Sequence, residues 1–329
     1  MPSIKDVASE AGVSTATVSR VLSNKPYITA DMRDRVMVAV QKLGYRPNQV
    51  ARSLRSQQST TIGLIVSDVC NAFFTDVSRT VEDCAYEQGY SVFLCNSDGD
   101  EKKELIYLHE MYDKKVAGVI ISPTQKTCDN LSRLNLTLPT VVYDRIIKGC
   151  DVDTIIIDNV DAAYHLAQHL ITSGYKRIAG IFVNGVYTGI TRREGFEKAI
   201  KEANYEQPLI EITQTSINAG YAATMKLLSL SPRPDAIIAT DNLVLEGSMQ
   251  AIIELGLRIP TEVGLAGFDD VSWMTLVQPP LTVIRQPTDE IGRMAVDLIM
   301  RRIENPTRPP LQVTLKSQLI IRGSSILSK

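Results

Sequence analysis

The stretch between residues 4 and 22 constrains the fold of this chain more than any other. It holds two short amphipathic segments, IKDVASEA at 4–11 and STATVSRVL at 14–22. Gly12, between them, can adopt the positive φ that a sharp turn between helices requires, and Ser14 is placed to cap the second helix. Apolar residues recur every three or four positions, which indicates a small shared core. The pattern therefore predicts a helix-turn-helix.

The side chains left exposed on the second segment are short, apart from one long cation. They are Thr15, Ala16, Thr17, Ser19 and Arg20. Short side chains let a helix enter the major groove of DNA without clashes, and an arginine there reaches a guanine edge. We expect these residues, together with Asn24, to contact DNA.

The charge distribution agrees with this expectation. The whole chain of 329 residues carries a formal net charge of −2. Residues 1–60 hold nine Lys/Arg against four acids, a balance of +5, and the remainder holds 26 against 33, a balance of −7. A basic head on an acidic body suits a protein that presents one end to phosphates.

A chain of this length predicts more than one domain. Thr29 and Gly44 are placed to begin and end a third helix, and Pro47 then breaks the chain. Residues 48–55 span fewer than three turns, so a helix there is marginal without a partner. We expect a DNA-binding domain at 1–46, a hinge helix and linker at 47–60, and a core at 61–329.

From Thr61 onward, strand and helix patterns alternate, beginning with TIGLIVSDV at 61–69 and continuing to GLAGFD at 264–269. Such alternation predicts βαβ units and parallel sheets covered on both faces. Two rounds of similar size, roughly 62–160 and 161–290, predict two α/β lobes with a ligand cleft at the carboxyl ends of the strands. The predicted fold class is thus α/β, doubly wound, behind an all-α head.

The run IKDVASEAGVSTATVSRVLSN and the run YRPNQVARSLRS at 45–56 resemble the head of the lactose/galactose-repressor (LacI/GalR) family, and the similarity extends through essentially all of the chain. The resemblance implies a core like the type I periplasmic sugar-binding proteins. It also implies a homodimer that binds pseudo-palindromic double-stranded operator DNA and responds to a small sugar or sugar-derived effector. Leu54 matches the family's minor-groove wedge, and we expect Arg55 beside it to contact DNA.

Candidate effector-binding residues follow the ends of predicted strands. Asp144 and Arg145 combine a carboxylate with a guanidinium, which can accept from and donate to vicinal hydroxyls. Asn71, Phe73 and Phe74 resemble the family's Asn-x-Phe-Phe, whose aromatic rings lie against the apolar face of a sugar. By the same resemblance, the remaining effector-binding positions are Arg192, Thr240, Asp269 and Gln286.

Two positions depart from the family pattern. Thr240 stands where Asn is usual, and Thr215 stands where an aromatic residue is common. Both are smaller, which predicts a roomier pocket or a different ring substituent. Arg145 and Arg192 leave an acidic sugar or a sugar phosphate open as a second class of effector.

No triad, metal site or activated nucleophile assembles in the sequence, so we expect no catalysis, no cofactor and no metal. The five cysteines have no CxxC spacing, and no signal peptide or apolar run of 18 residues is present, which favours a reducing cytoplasm and no membrane partner.

We expect a sequence-specific transcriptional regulator, most readily a repressor. Two alternatives stay open: a sugar-binding module or sugar enzyme whose head docks a protein, and a regulator governed by a partner protein. The effector, the operator and the direction of the response are not readable from the sequence.

Overall fold

A computed structural model of the chain describes residues 2–22, 28–45, 59–130, 138–147, 149, 151–205 and 208–327. Contacts along the backbone divide the chain into two compact units, Met1–Ser59 and Thr60–Lys329. The predicted hinge helix at 48–55 lies outside the described residues.

The smaller unit contains the predicted helix-turn-helix. Its helices are α1 (Ile4–Ala11), α2 (Thr15–Leu22) and α3 (Ala30–Leu43). Gly12 has φ 63° at the turn, and the hydroxyl of Ser14 accepts a 3.1 Å hydrogen bond from the amide of Thr17, so both assignments made from the sequence are confirmed. The core holds Val7, Ala8, Ala11, Val18, Val21, Val36 and Ala39.

The third helix has the predicted ends and braces the turn. Thr29 caps it by accepting from the amide of Met32, and Gly44 ends it at φ 59°. Arg35 on this helix donates from Nη2 to the carbonyl oxygens of Ala11, at 2.7 Å, and Gly12, at 3.2 Å. Because these carbonyls lie at the end of α1, the guanidinium satisfies acceptors that the helix leaves unpaired.

The larger unit begins with the alternation that the sequence predicts. Its first elements are β1 (Thr61–Val66), α4 (Ala72–Glu87), β2 (Ser91–Asn96), α5 (Glu101–Asp113), β3 (Gly118–Ile121), α6 (Gln125–Asn130), β4 (Thr140–Tyr143) and β5 (Asp153–Ile157). The second series comprises α7 (Asn159–Thr172), β6 (Ile178–Val183), α8 (Tyr187–Glu202), β7 (Leu209–Thr213), α9 (Ile217–Leu228), β8 (Ala236–Ala239), α10 (Asn242–Glu254), β9 (Gly264–Phe268) and β10 (Thr282–Arg285). The last elements are α11 (Thr288–Glu304), β11 (Gln312–Leu315) and β12 (Gln318–Ile320).

Two sheets of six strands form two lobes. Lobe 1 has the strand order β11-β5-β4-β3-β1-β2, and lobe 2 has β12-β10-β9-β8-β6-β7. The pairings in lobe 1 are parallel, as predicted. In lobe 2, β12 pairs antiparallel with β10, so this sheet is mixed at one edge.

The sequence analysis divides the two lobes at about residue 160, but it does not predict that the chain later returns from lobe 2 to lobe 1. After β10 the chain returns to lobe 1, where α11 packs on α4 and β11 pairs with β5, and then crosses again to place β12 in lobe 2. Ile291, Ala295 and Ile299 of α11 are buried in the same apolar cluster as Val77 and Val81 of α4. Local alternation of patterns predicts element type, but it does not show which sheet a later strand joins.

Parallel strands buried on both faces place the core on each side of each sheet. In the described part of the chain, no helix combines the length and the apolar character needed to cross a membrane.

Candidate functional site

The exposed face of α2 is the first candidate site. Thr15, Ala16 and Arg20 are exposed, and Thr17 and Ser19 are partly exposed, while Val18 and Val21 face the core. The helix therefore presents short polar side chains and one arginine to solvent, as predicted. Three other residues expected to contact DNA, Asn24, Leu54 and Arg55, lie outside the described residues.

The second candidate site is a cleft of about 900 Å³ between the two lobes. All nine side chains predicted to bind the effector line it: Asn71, Phe73, Phe74, Asp144, Arg145, Arg192, Thr240, Asp269 and Gln286. Most of them directly follow a strand or begin the helix after one, and Arg192 lies one turn into α8. The carboxyl ends of parallel strands meet at one edge of a sheet, which explains why residues so far apart in the sequence converge.

One wall of the cleft is apolar. Phe73 and Phe74, in the first turn of α4, lie with ring centroids 5.1 Å apart and nearly perpendicular planes. Tyr143, at the end of β4, lies 6.4 Å and 6.3 Å from the two ring centroids. All three side chains are buried, so the two phenylalanine rings are held in place by packing. A ring with one C–H-rich face gains contact area against such a wall.

Arg192 is fixed by three contacts on lobe 2. Its Nε donates to Oδ1 of Asn159 at 2.7 Å, and its Nη1 donates to the carbonyl oxygen of Thr240 at 2.5 Å. The guanidinium also lies 4.0 Å from the ring centroid of Phe268. A guanidinium held in this way is pre-organised for a hydroxyl or a carboxylate.

Arg145 is held in a similar way on lobe 1. Its Nη1 donates to the carbonyl oxygen of Pro123 at 2.5 Å, and its Nε lies 3.4 Å from Oδ2 of Asp144. The side chains of both residues are buried. On lobe 2, Arg192 is near enough to Asp269 and Asp241 to interact with their charges, so each lobe offers the cleft a guanidinium and a carboxylate.

Carboxylates outnumber guanidiniums in the buried part of the cleft. Asp144, Asp241 and Asp269 line it beside Arg145 and Arg192. Burial raises the pKa of Asp144, although Arg145 and Arg192 oppose the shift. Burial, together with the charge of Asp269, raises the pKa of Asp241 to about 6. The local field is thus negative, which favours an uncharged or cationic ligand over an anion.

A hydrogen-bonded row runs along the lobe-2 side. Nε2 of Gln286 donates to Oδ1 of Asp269 at 2.6 Å, and Nδ2 of Asn242 donates to Oδ2 of the same carboxylate at 2.9 Å. The amide of Asn242 also donates to Oδ1 of Asn71 on lobe 1, at 2.8 Å. Asp269 is therefore oriented by two amides before any ligand contact.

The sequence analysis missed Asp241 and Asn242. Both follow β8 directly, in the run ATDN, and strand-end position is the signal that found the other residues. Asp241 lines the cleft and also caps α10, accepting from the amides of Leu243 and Val244.

The two departures from the family pattern have different surroundings. Thr240 donates its hydroxyl to the carbonyl oxygen of Ile181, so that group is engaged on β6. Thr215 lines the cleft in the loop between β7 and α9. A threonine there leaves space that an aromatic ring would occupy.

Comparison with known proteins identifies the chain. A model of "Periplasmic binding proteins and sugar binding domain of LacI family" matches residues 59–322, and one of "Bacterial regulatory proteins, lacI family" matches residues 3–48. The HTH-type transcriptional repressor PurR of Haemophilus influenzae is 35% identical over 98% of this chain and 98% of its own length. The chain belongs to the LacI family. It is a transcriptional regulator of that family.

Other members of the LacI family show the same full-length match. The ribose operon repressor of Escherichia coli is 34% identical over 99% of this chain and 100% of its own length. Among solved structures, the Lac repressor dimer bound to operator and the anti-inducer ONPF has a TM-score of 0.89 at 24% identity, covering 99% of each chain. The complex of the regulator CelR with cellobiose has a TM-score of 0.74 at 26% identity, covering 98% of this chain and 100% of that one. These likenesses confirm the predicted fold class.

Proposed function

We propose that this LacI-family regulator is a homodimeric repressor that binds a pseudo-palindromic operator and releases or retains it in response to a small uncharged sugar. The observation that carries the effector proposal is the cleft itself, in which an Asp–Arg pair on lobe 1 and a second acid and guanidinium on lobe 2 flank two phenylalanine rings. Such a set binds a ring with hydroxyls on its edge and C–H groups on its face.

The charge balance favours an uncharged effector over a sugar phosphate. Each guanidinium in the cleft already has one nitrogen bonded to a backbone carbonyl, Pro123 for Arg145 and Thr240 for Arg192. The carboxylates of Asp144, Asp241 and Asp269 line the same part of the cleft as these two guanidiniums. A phosphate placed here would face more negative than positive charge, at short distance and low dielectric.

The proposal for DNA rests on the head. The exposed face of α2 supplies Thr15, Ala16, Thr17, Ser19 and Arg20 to the major groove. Two heads related by a two-fold axis read the halves of a pseudo-palindrome and add their contacts. We assign residues 1–46 to this head, 47–60 to a hinge, and 61–329 to the effector-binding and dimerisation core. Asn24 of the head, with Leu54 and Arg55 of the hinge, provides further contacts with DNA.

The relatives are transcriptional repressors, and we infer that this chain, like them, is not an enzyme. Because its proposed target is chromosomal DNA, we place it in the cytoplasm.

Two binding assays test the proposal. A mobility shift against pooled palindromic duplexes at two salt concentrations should show a specific, salt-dependent complex. Thermal shift against matched sugars, D-ribose with D-ribose 5-phosphate and D-glucose with D-glucose 6-phosphate, should stabilise the protein with an uncharged member. Stabilisation by phosphates alone overturns the uncharged effector, and no response to any sugar favours control by a partner protein.

A further inference from the structure

Two helices from opposite lobes begin at the same place in the cleft. Asn71 caps α4 of lobe 1, and its Oδ1 accepts from the amide of Phe73 at 3.0 Å. Asp241 caps α10 of lobe 2, and its Oδ1 accepts from the amides of Leu243 and Val244 at 3.0 and 3.3 Å. Each cap satisfies amides that its helix leaves unpaired.

The side-chain amide of Asn71 also spans the cleft. Its Nδ2 donates to Oδ2 of Asp241 at 3.1 Å, and its Oδ1 accepts from Nδ2 of Asn242 at 2.8 Å. Asn71 is 3% exposed and Asn242 is 4% exposed. The bond between these two side chains is buried, so water competes little with it, and breaking it leaves a buried polar group without its partner.

Asn71 therefore does more than line the effector site. Its oxygen accepts two hydrogen bonds, and its nitrogen is bonded to the other lobe. We propose that Asn71, Asp241 and Asn242 form a bridge, made by protein groups alone, that holds the two lobes together and positions them for the effector. The free-energy difference between the open and closed cleft then contains the contribution of this bridge.

The charges around the bridge explain why an amide occupies position 71. Asp241 accepts a hydrogen bond from Asn71, and Asp269 accepts one from Asn242. Asp76 lies one turn further along α4, where burial, together with the charge of Asp269, raises its pKa. Among these carboxylates an aspartate at position 71 would add like charge, whereas an amide both donates and accepts.

An exchange of donor and acceptor tests the bridge. Asn71→Asp keeps the cap of α4 but places a carboxylate against Asp241, and Asp241→Asn keeps the cap of α10 because asparagine and aspartate cap equally well. Hydrogen–deuterium exchange is measured on the full-length protein without effector or DNA, so the result does not depend on the proposed function.

In Asn71→Asp, amides 242–245 of the opposite lobe should exchange about fivefold faster than in the parent, which is the factor expected for one lost hydrogen bond. The double variant should return toward the parent rate because the donor and acceptor are restored in reverse.

A shorter side chain separates the bridge from the cap. Asn71→Ser still caps α4 but does not reach lobe 2, so amides 72–75 should keep their rate while amides 242–245 exchange faster. As a matched control, Asp158→Asn makes the same exchange of acid for amide at the cap of α7, away from the bridge, and should leave both segments unchanged. Circular dichroism verifies folding, and the serine variant decides the question if Asn71→Asp does not fold. Unchanged exchange at 242–245 in the Asn71 variants, or a double variant no slower than Asn71→Asp, overturns the bridge.

Discussion

Asp144 and Asp269 occupy equivalent positions in the two lobes. Each follows the third strand from one edge of its sheet, β4 or β9. Each lies in the left-handed region, at φ 70° and 68°. The amide of Asp144 donates to the carbonyl oxygen of Ile155, and that of Asp269 to Ile284, both at 2.9 Å.

This equivalence explains how one cleft receives a carboxylate from each lobe. The same turn at the end of the same strand directs both side chains into the space between the sheets. Aspartate tolerates positive φ better than most residues, although the conformation still costs free energy. Strain of this kind concentrates at ligand-binding sites, where the surrounding structure enforces it.

The first prediction concerns Arg192. Arg192→Ala should lower the free energy of unfolding by about 3–5 kcal/mol, because it leaves three buried carboxylates with one fewer opposite charge. It should also remove the thermal-shift response to sugar. Urea unfolding measures the first effect and thermal shift the second.

Its neighbour provides the control. Arg193 is exposed and pairs with Glu197 at 2.7 Å on the outer face of the same helix. Arg193→Ala should cost only about 0.3–0.5 kcal/mol, the usual value of an exposed helix pair, and keep the sugar response. Equal losses in the two variants would contradict the placement of Arg192.

The second prediction concerns pH. The pKa of Asp241 in the folded protein is raised from 3.8 to about 6, so the folded state binds a proton that the unfolded state releases between these values. Stability from this group is fully present below about pH 4 and is lost as the pH rises through 6. Asp241→Asn should therefore reduce the fall in unfolding free energy between pH 4 and pH 7.

The dependence of the unfolding free energy on pH is the quantity to compare, because Asp241→Asn also alters the bridge to Asn71 and so changes the absolute stability. An exposed acid offers a control of opposite sign. A hydrogen bond from Lys103 holds the pKa of Asp98 below its usual value, so its contribution is lost as the pH falls. Asp98→Asn should therefore change the slope in the opposite sense, at lower pH. An unaltered slope in Asp241→Asn would mean that its carboxyl titrates normally.

The third prediction concerns the turn of the head. Gly12 and Gly44 both have positive φ, 63° and 59°. A Cβ on Gly12 would lie 2.7 Å from Nη2 of Arg35, whereas a Cβ on Gly44 would meet nothing within 4 Å. Gly44→Ala should lower the free energy of unfolding by about 1 kcal/mol through backbone strain. Gly12→Ala should lower it further, because the added Cβ also displaces Arg35.

Thermal unfolding of the head transition, followed by circular dichroism, compares the two variants. Combining Gly12→Ala with Arg35→Ala should give less than the sum of the single effects, because the clash disappears with the guanidinium. Strict additivity would show that Arg35 does not brace this turn.

The fourth prediction concerns Arg20. Arg20→Ala should weaken binding to the specific operator by about 1–3 kcal/mol and relax the preference at one base pair, as expected for an arginine that reads a base edge. Lys5 is also exposed, and Lys5→Ala should weaken all sequences about evenly. Fluorescence titration with operator and scrambled duplexes separates the two effects. Unchanged operator affinity in Arg20→Ala would contradict the assignment of α2 as the helix that enters the major groove.

The sequence by itself determined the features that depend on near neighbours. Helix periodicity, the glycine at the turn and the Ser14 cap determine the head, because each acts within about four residues. Strand-end position likewise selected Asp144 and Arg145, since parallel strands must end at one edge of their sheet, whereas Asp269 was assigned from the resemblance to the family. These residues reach the cleft as predicted.

Only the tertiary structure decided which lobe each C-terminal element joins and which residues meet across the cleft. The pairing of β12 with β10, like the packing of α11 on α4, depends on surfaces brought together by the return of the chain. The sequence analysis missed Asp241, whose contact with Asn71 joins residues 170 positions apart. Periodicity carries information over one or two turns, whereas this bridge exists only because two separately formed lobes place two helix ends side by side.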